Sequence, residues 1–462
     1  MKSHNVIHDM SRIIEALDAA GRLVRVKSEV DPEFDLAGIA ARYEGQDRAV
    51  LFERVRGSDI PVLTGLYWSR GLLGGLFDML EQDLPSYVSD MISGWQREPV
   101  NPVVVPEGPV TEVSMTGSEV NLHDLPIPVH ALEDGGPYID AGVVISRDPE
   151  TGVRNASIQR FMVAGPRTLH VNIDAGRHLG LYLDKAAERG ESLPLTINIG
   201  VGPGVHFAAA TPSESAPADT DELGIASAFH GSALRLVAGR NSDVEMVAEA
   251  MISLECEIVP GELADEGPFA EVTGYYAERA PRPVVHVKAI HRRREAVFHT
   301  ILSGQEVFNS VGLLGESNVL SLVSKQVPGI KDVAFTHGGC GFYHAVLQMR
   351  QVRKGWSKQA IMATFAAFPP LKMVTVVDDD VDIRNASDVE WAMATRLDPV
   401  NGVLTIPAAF GHGLNPSFPN YVGAKIGFDA TRTFPHEAHH ERAKYKSVDL
   451  ADFVIETDSV TV

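Results

Sequence analysis

The alternation of apolar and polar positions gives the chain three textures. In the first, Ser11 to Ala20 repeats at helical spacing, with Ile13, Ile14 and Leu17 on one face and Gly21 as a natural stop. Leu23 to Val26 reads as a short strand and Asp35 to Tyr43 as a helix. Ala49 to Phe52 and Pro61 to Thr64 read as buried strands, and Leu72 to Leu80 as a further helix. These elements predict an N-terminal α/β unit over residues 1–110. It ends in a proline- and valine-rich stretch, Pro99 to Pro109, that reads as a linker. Over residues 111–304 strand signals dominate: Val110–Met115, Ala141–Ser146, Ile158–Val163, Leu169–Ile173, Leu195–Ile199 and Val284–Val287. Short strands punctuated by Gly and Pro predict a barrel or sandwich, with helices inserted at Leu179–Arg189 and Asp243–Ala250. Residues 305–462 read as a C-terminal α/β domain. Helices are expected at Val319–Lys325 and Ser357–Phe365, and strands at Asp332–Phe335 and Tyr343–Met349. The largely β-branched run Met373 to Val377 has the pattern of a fully buried parallel strand, and the helix Asp388–Arg396 follows it. The tail His436 to His440 reads as a solvated helix end. The fold class is therefore mixed α/β (α+β).

One strand departs from this pattern. Asn155 to Val163 alternates in and out, yet it carries Asn155, Ser157, Gln159 and Arg160, and the segment after it ends in Arg177-His178. Polar groups on a packed strand cost free energy unless paired, so a ligand, an ion or one another must satisfy them.

Charge and composition narrow the partners. A formal charge of -21 argues against nucleic acid or an anionic membrane as the main partner, because either would be repelled. Cys256 and Cys340 are too few for a disulfide framework or a thiolate metal site, which fits a reducing compartment. The first residues lack the apolar core of a signal peptide, and no apolar run approaches the ~20 residues that span a bilayer. The expectation is a soluble, cytoplasmic protein of two or three domains.

Three constellations could carry chemistry. Asn155, His178 and Glu222 offer an amide oxygen, an imidazole and a carboxylate, a set suited to Mn²⁺ or Mg²⁺; separate structural roles are the plainer alternative. Glu266-Gly267-Pro268-Phe269-Ala270-Glu271 sets two carboxylates about a Gly-Pro turn, so that both could face one cleft and divide acid and base work. The alternative is a solvated acidic loop. Asp378-Asp379-Asp380 with Asp382 follows the buried strand and reads as capping for the next helix. Gly200-Val201-Gly202-Pro203-Gly204 matches neither phosphate-loop pattern, and Pro203 is expected to disrupt a following helical turn. Neither H-E-x-x-H nor C-x-x-C occurs.

Six stretches together resemble the UbiD family of prenylated-FMN-dependent (de)carboxylases: RDPETGVRNASIQR (147–160), GPRTLHVNIDAGRH (165–178), DELGIASAFHG (221–231), EGPFAEVTGYY (266–276), VTVVDDDVDIRNASDVEWAMATR (374–396) and GAKIGFDATR (423–432). The resemblance implies a central split β-barrel that binds prenylated FMN, with an α/β domain across the cleft. It implies a divalent ion, usually Mn²⁺, held by Asn155, His178 and Glu222 against the flavin phosphate. A K⁺ ion is implied nearby, bound in part by the loop before Glu222. Ser157, Ile158, Gln159, Arg160 and the pair Arg177-His178 match cofactor contacts. No clear counterpart matches a lysine that some members set against the phosphate. The catalytic set maps to Arg160, Glu266 and Glu271, with Arg160 and Glu266 orienting the substrate carboxylate and Glu271 giving the proton that replaces CO₂. The implied activity is reversible, non-oxidative decarboxylation of a small aromatic or heteroaromatic acid through a covalent prenylated-FMN adduct. A flavin prenyltransferase would supply the cofactor, and a homodimer or hexamer is expected. Pocket-facing positions are expected at Ser310, Gly312 and Asn318 and at His412, Asn415 and Phe418. An ordinary FMN-dependent reductase on a split barrel stays open, although hydride transfer needs no such proton relay. So does a non-catalytic prenyl-flavin-binding subunit, although every matched catalytic position is kept.

Overall fold

The computed structural model describes residues 6–173, 177–212, 216, 220–437 and 441–449, so the expected helix end at His436–His440 lies partly outside the described residues. The N-terminal unit runs α1 (Met10–Ala19), β1 (Leu23–Val30), α2 (Asp35–Ala40), β2 (Ala49–Val55), β3 (Val62–Thr64), α3 (Arg70–Leu76) and α4 (Leu84–Arg97). β1 lies parallel to β2, and β2 antiparallel to β3. Helix α4 buries Leu84, Val88, Met91, Ile92 and Trp95 on one face, a helical period that the sequence reading passed over.

The chain continues through β4 (Val103–Val105), β5 (Val113–Thr116), β6 (Tyr138–Arg147), β7 (Arg154–Gly165), β8 (Thr168–Val171), α5 (His178–Arg189), β9 (Leu193–Ile199), α6 (Pro203–Ala210) and α7 (Leu223–His230). Then come β10 (Arg235–Ala238), β11 (Glu245–Val247), β12 (Ile252–Glu266), β13 (Phe269–Ala270), β14 (Tyr276–Ala277), β15 (Ala280–Arg292) and β16 (Phe298–His299). Six of these strands close a barrel in the order β12-β9-β6-β7-β8-β15, with β15 pairing back onto β12 and β5 added outside β15. β6 and β7 pair antiparallel with Val144 opposite Ser157 and Ser146 opposite Asn155, which fixes the face on which the polar residues of β7 stand. β16 pairs in parallel with β3 and ties the barrel to the N-terminal sheet.

Three expectations fail here. The stretch 99–109 is not merely a linker: β4 pairs in parallel with β10. The stretch 243–250 is not a helix: Glu245, Met246 and Val247 form a buried strand on β10, and the ladder overrides the helical spacing of a short window. Pro203 does not break a helix but opens α6, in the first turn, where its missing N–H has no intrahelical partner to lose.

The C-terminal unit begins with a π-helical turn (Phe308–Gly312) that leads into α8 (Leu313–Gln326). It continues through β17 (Ile330–Phe335), β18 (His344–Met349), α9 (Trp356–Ala367), β19 (Met373–Asp378), α10 (Ala386–Arg396), β20 (Val403–Phe410) and β21 (Val422–Ala430). The sheet order is β17-β18-β19-β21-β20. The β-branched run is its buried centre, parallel to both neighbours, as expected for a strand covered on two faces. The aspartates after β19 do not cap α10; the Asn385 side chain does, accepting from the Ser387 and Asp388 N–H groups. Asp378 instead accepts from Arg396 and from the Arg432 N–H, and Asp380 grips Arg396 with both oxygens, so this acidic run is an ion-pair network. Among the described residues no helix is long and apolar enough to cross a membrane.

Candidate active site

A cavity of ≈ 600 Å³ lies between the barrel and the C-terminal unit. Strand β7 lines it from Asn155 to Arg160. The end of α6, the segment around Ile301 to Val311, and residues of the 368–370 and 410–421 stretches complete its wall. All the residues singled out from sequence as cofactor- or metal-binding (Asn155, Ser157, Ile158, Gln159, Arg160, Arg177, His178 and Glu222) reach this one cavity, together with Glu271.

At one end stands the amide–imidazole–carboxylate set. Asn155 Nδ2 lies 2.7 Å from Glu222 Oε2 and 3.1 Å from His178 Nδ1, and His178 Nδ1 lies 3.4 Å from Glu222 Oε1. β7 supplies Asn155, the start of α5 supplies His178, and Glu222 precedes α7. Arg154, the outward neighbour of Asn155, donates to Asp221 Oδ2 at 2.9 Å and so pins the Glu222 loop to β7. The Ala156 N–H donates to Glu222 at 2.8 Å. Burial pushes the Glu222 carboxyl up, and the hydrogen bond that the imidazole donates to Glu222 raises His178. Ligands bound at about 2.1 Å in octahedral geometry lie roughly 3 Å apart along each edge. The three spacings fit such an edge set once the Asn155 amide presents its oxygen, an orientation that is an assignment for any asparagine. Among the described residues no three His, Cys, Asp or Glu side chains gather as a metal cluster; this set includes an amide.

Farther along β7, Arg160 spans two carboxylates. Its Nε donates to Glu266 Oε1 at 3.0 Å, and its other arm forms an ion pair with Glu271. The Gly-Pro turn brings both acids to one guanidinium, but only Glu271 lines the cavity, and Glu266 is buried behind it. Glu266 ends β12, β13 turns back through β14, and Glu271 heads the turn between them. Gly267 has φ +94°, and an added Cβ there would meet the Arg279 backbone at 3.2 Å, so both its conformation and its crowding require glycine. Arg160 lies 5.0 Å above the Phe269 ring.

Sequence reasoning missed Tyr138. Its ring is fully buried, packs 4.4 Å from Phe269 centroid to centroid, and its hydroxyl donates to Glu266 Oε1 at 3.0 Å. It also missed Asp140, which lines the cavity and accepts from the Thr300 hydroxyl and the Ile301 N–H. Tyr138 carried no sequence signal, since an aromatic among apolar neighbours on a core strand is ordinary; Asp140 did, as a carboxylate on a packed strand, but it lies just before the strand expected at Ala141–Ser146.

The expected substrate-facing positions are corrected. Ser310 bonds the Val307 carbonyl and Asn318 the Ala367 carbonyl. Gly312 is packed against Gly341, and Val307 and Val311 line the cavity instead. Of the second group His412 lines it, whereas Asn415 and Phe418 do not; Phe410, Leu414 and Tyr421 do. Lys372 donates to Ser417 Oγ at 2.7 Å.

Comparison with known proteins agrees with this architecture. Three family models match in chain order: the 3-octaprenyl-4-hydroxybenzoate carboxy-lyase N-terminal domain over residues 14–91, its Rift-related domain over 103–306 and its C-terminal domain over 309–430. Barrel, cleft and flanking units thus define a carboxy-lyase. The chain belongs to the UbiD family of decarboxylases. It is 37% identical over 408 residues to the anhydromevalonate phosphate decarboxylase of Methanothermobacter thermautotrophicus, covering 88% of this chain and 93% of that protein. The UbiD-class enzyme HmfF from Pelotomaculum thermopropionicum, solved with FMN, superposes with a TM-score of 0.91 at 36% identity, over 97% of this chain and all of that one. An evolved dimeric form of the same enzyme was solved with prFMN; it superposes with a TM-score of 0.87 at 35% identity, over 97% of this chain and 100% of that one. The 3,4-dihydroxybenzoic acid decarboxylase of Enterobacter cloacae superposes with a TM-score of 0.89 at 29% identity, over 97% and 99% of the two chains.

Proposed function

We propose that this protein is a prenylated-FMN-dependent decarboxylase that removes CO₂, reversibly and without net oxidation, from an aromatic or heteroaromatic acid. The observation that carries the reading is one guanidinium, Arg160, set between Glu266 and Glu271 on the strand that also carries Asn155. Two neighbours solved with FMN and with prFMN support the choice of cofactor. When bound, prenylated FMN supplies the electron sink that loss of CO₂ from an sp² carbon demands and that no side chain offers.

The chain's own residues do the rest. Asn155, His178 and Glu222 would hold a divalent cation such as Mn²⁺ against the cofactor phosphate, with Arg177 beside them. K⁺ would be bound partly by the loop before Glu222, and Ser157, Ile158 and Gln159 would line the cofactor edge. Arg160 receives the substrate carboxylate in a charge-assisted pair. Its single positive charge already faces two carboxylates, so a third enters only when one of them carries a proton. Glu266 is closed in by Tyr138 and Arg160, with 1% of its side chain exposed against 11% for Glu271. Glu271 is therefore the proton carrier; it delivers that proton to the carbon from which CO₂ departs, and Glu266 keeps the guanidinium in plane. In reverse, Glu271 takes the proton from that carbon. A flavin prenyltransferase in the same cytoplasm supplies the cofactor, and the working form is a homodimer or hexamer.

The test is to produce the protein together with a flavin prenyltransferase, measure bound flavin by mass and metal by elemental analysis, and assay aromatic acids for CO₂ release and for H/D exchange of the decarboxylated ring. A protein that takes up neither prenylated FMN nor a divalent metal when both are supplied ends the proposal.

A further inference from the structure

The charges lining the cavity restrict which acid can enter it, given the decarboxylase reading above. Arg160 and Arg177 are the only lysine or arginine side chains among the described residues that line it. Arg160 is committed to Glu266, Glu271 and the carboxylate that leaves. Arg177 adjoins His178, at the end where the Asn155–His178–Glu222 set stands, and so belongs to the cofactor phosphate. The wall supplied by the C-terminal unit and the 301–311 segment is largely apolar, with Val307, Val311, Phe342, Phe368 and Leu414, and its hydroxyl groups, on Ser303 and Tyr421, carry no positive charge. Its one basic ring is His412. The Leu414 N–H donates to His412 Nδ1 at 3.3 Å, and Tyr343 OH lies 3.3 Å from the same atom. Nδ1 thus accepts from the protein's own donors, so that edge of the ring is taken up within the wall. Two lysines of the C-terminal unit lie close to lining segments, but neither lines the cavity. Lys372 donates to Ser417 Oγ, and Lys425, buried, donates to the Pro369 carbonyl at 2.6 Å. Residues 174–176 and 213–219, beside the cavity in sequence, contain no lysine or arginine.

We infer that the substrate carries one anionic group only, the carboxylate that is lost, on an uncharged unsaturated frame. A second anion, whether phosphate or carboxylate, would be pressed against valine, phenylalanine and leucine with no cation to meet it, and burying an unpaired charge is far costlier than changing the shape of an apolar frame. Apolar walls discriminate weakly between frames of similar size, whereas they reject charge strongly. The phosphorylated acid named for the Methanothermobacter thermautotrophicus relative is therefore not the substrate of this chain, despite 37% identity over 408 residues.

Two matched pairs test this on the cofactor-loaded protein: furan-2-carboxylate against furan-2,5-dicarboxylate, and anhydromevalonate against anhydromevalonate 5-phosphate. Both Kd, by calorimetry, and kcat/KM, by CO₂ release, are measured. The singly charged member of each pair is expected to be favoured on the order of a hundredfold or more. Val311→Arg is expected to shift each ratio at least about tenfold toward the doubly charged member by supplying the missing cation. Equal or better binding of the dicarboxylate or the phosphate by the unaltered protein overturns the inference. Turnover of none of the four compounds counts against the decarboxylase reading, whereas the Kd ratios still judge the charge inference by themselves.

Discussion

Replacing Tyr138 by phenylalanine deletes a single oxygen atom from the centre of the carboxylate network. The ring stays packed on Phe269, so almost no apolar contact is lost and the void is about one oxygen in size. What disappears is the hydrogen bond from the hydroxyl to Glu266 Oε1 at 3.0 Å, on a side chain that water barely reaches. Burial and the neighbouring Glu266 both push the Tyr138 phenol up, so it remains a donor at every working pH. A hydrogen bond to a charged group contributes about 1.5–3 kcal/mol. Arg160 Nε still donates to the same oxygen, so the loss belongs near the lower end, at about 1.5–2 kcal/mol. Spent on orientation at the transition state, that is about a 10- to 30-fold drop in kcat/KM. The assay is CO₂ release by Tyr138→Phe, by Glu266→Gln and by the double variant. If Tyr138 acts through Glu266, its removal costs less than about threefold in the Glu266→Gln background. A single variant within twofold of the parent, or an undiminished loss in the double variant, would refute the reasoning.

Other outcomes follow from the same geometry. Asn155→Ala and His178→Ala should each lose metal and flavin together, read by elemental analysis and absorbance; full occupancy in both rejects the metal assignment. Glu271→Gln should release no CO₂ yet keep its flavin, and loss of flavin would move Glu271 into cofactor binding. Burial raises the Asp140 carboxyl from 3.8 to about 7, so the folded chain holds a proton there that the unfolded chain releases. That contribution to stability is complete below pH 3.8 and is lost as pH rises through about 7, at up to about 1.4 kcal/mol per pH unit. Asp140→Asn should accordingly flatten the decline of melting temperature between pH 4 and 7, and an unchanged slope would remove Asp140 from the account.

The polar strand was the most legible part of the site. Asn155, Ser157, Gln159 and Arg160 broke a pattern that packing otherwise enforces, and they face the cavity together. The Gly-Pro between two glutamates was equally readable, because its turn chemistry is local. The substrate wall was not, and the π-helical turn at Phe308–Gly312 supplies the reason. The positions expected from the family resemblance assumed a regular helix, whereas Ser310 sits inside the widened turn and Asn318 follows it with a changed angular phase. Tyr138, Phe342 and Phe368 were invisible for another reason: a lone aromatic on a core element looks the same whether it backs a cavity or another side chain. The strand at 245–247 was hidden because its pairing partner, β10, is set by tertiary contact and not by its own pattern.

The barrel's order has one more consequence. Arg160 stands on β7 and Glu266 on β12, and two strands separate these along either way round the closed sheet: β9 and β6 on one side, β15 and β8 on the other. The two are diametrically opposed, so no half-built sheet brings them together. Their contact comes into being only when β15 has paired back onto β12, well over a hundred residues after β7 was made. A partially folded or truncated chain can thus present the Asn155 end of the strand without forming the Arg160–Glu266 contact. The contact therefore depends on ring closure. The Arg160–Glu266 contact is therefore a seal on the finished barrel, and any assay that senses it reports on whether the last strand has come home.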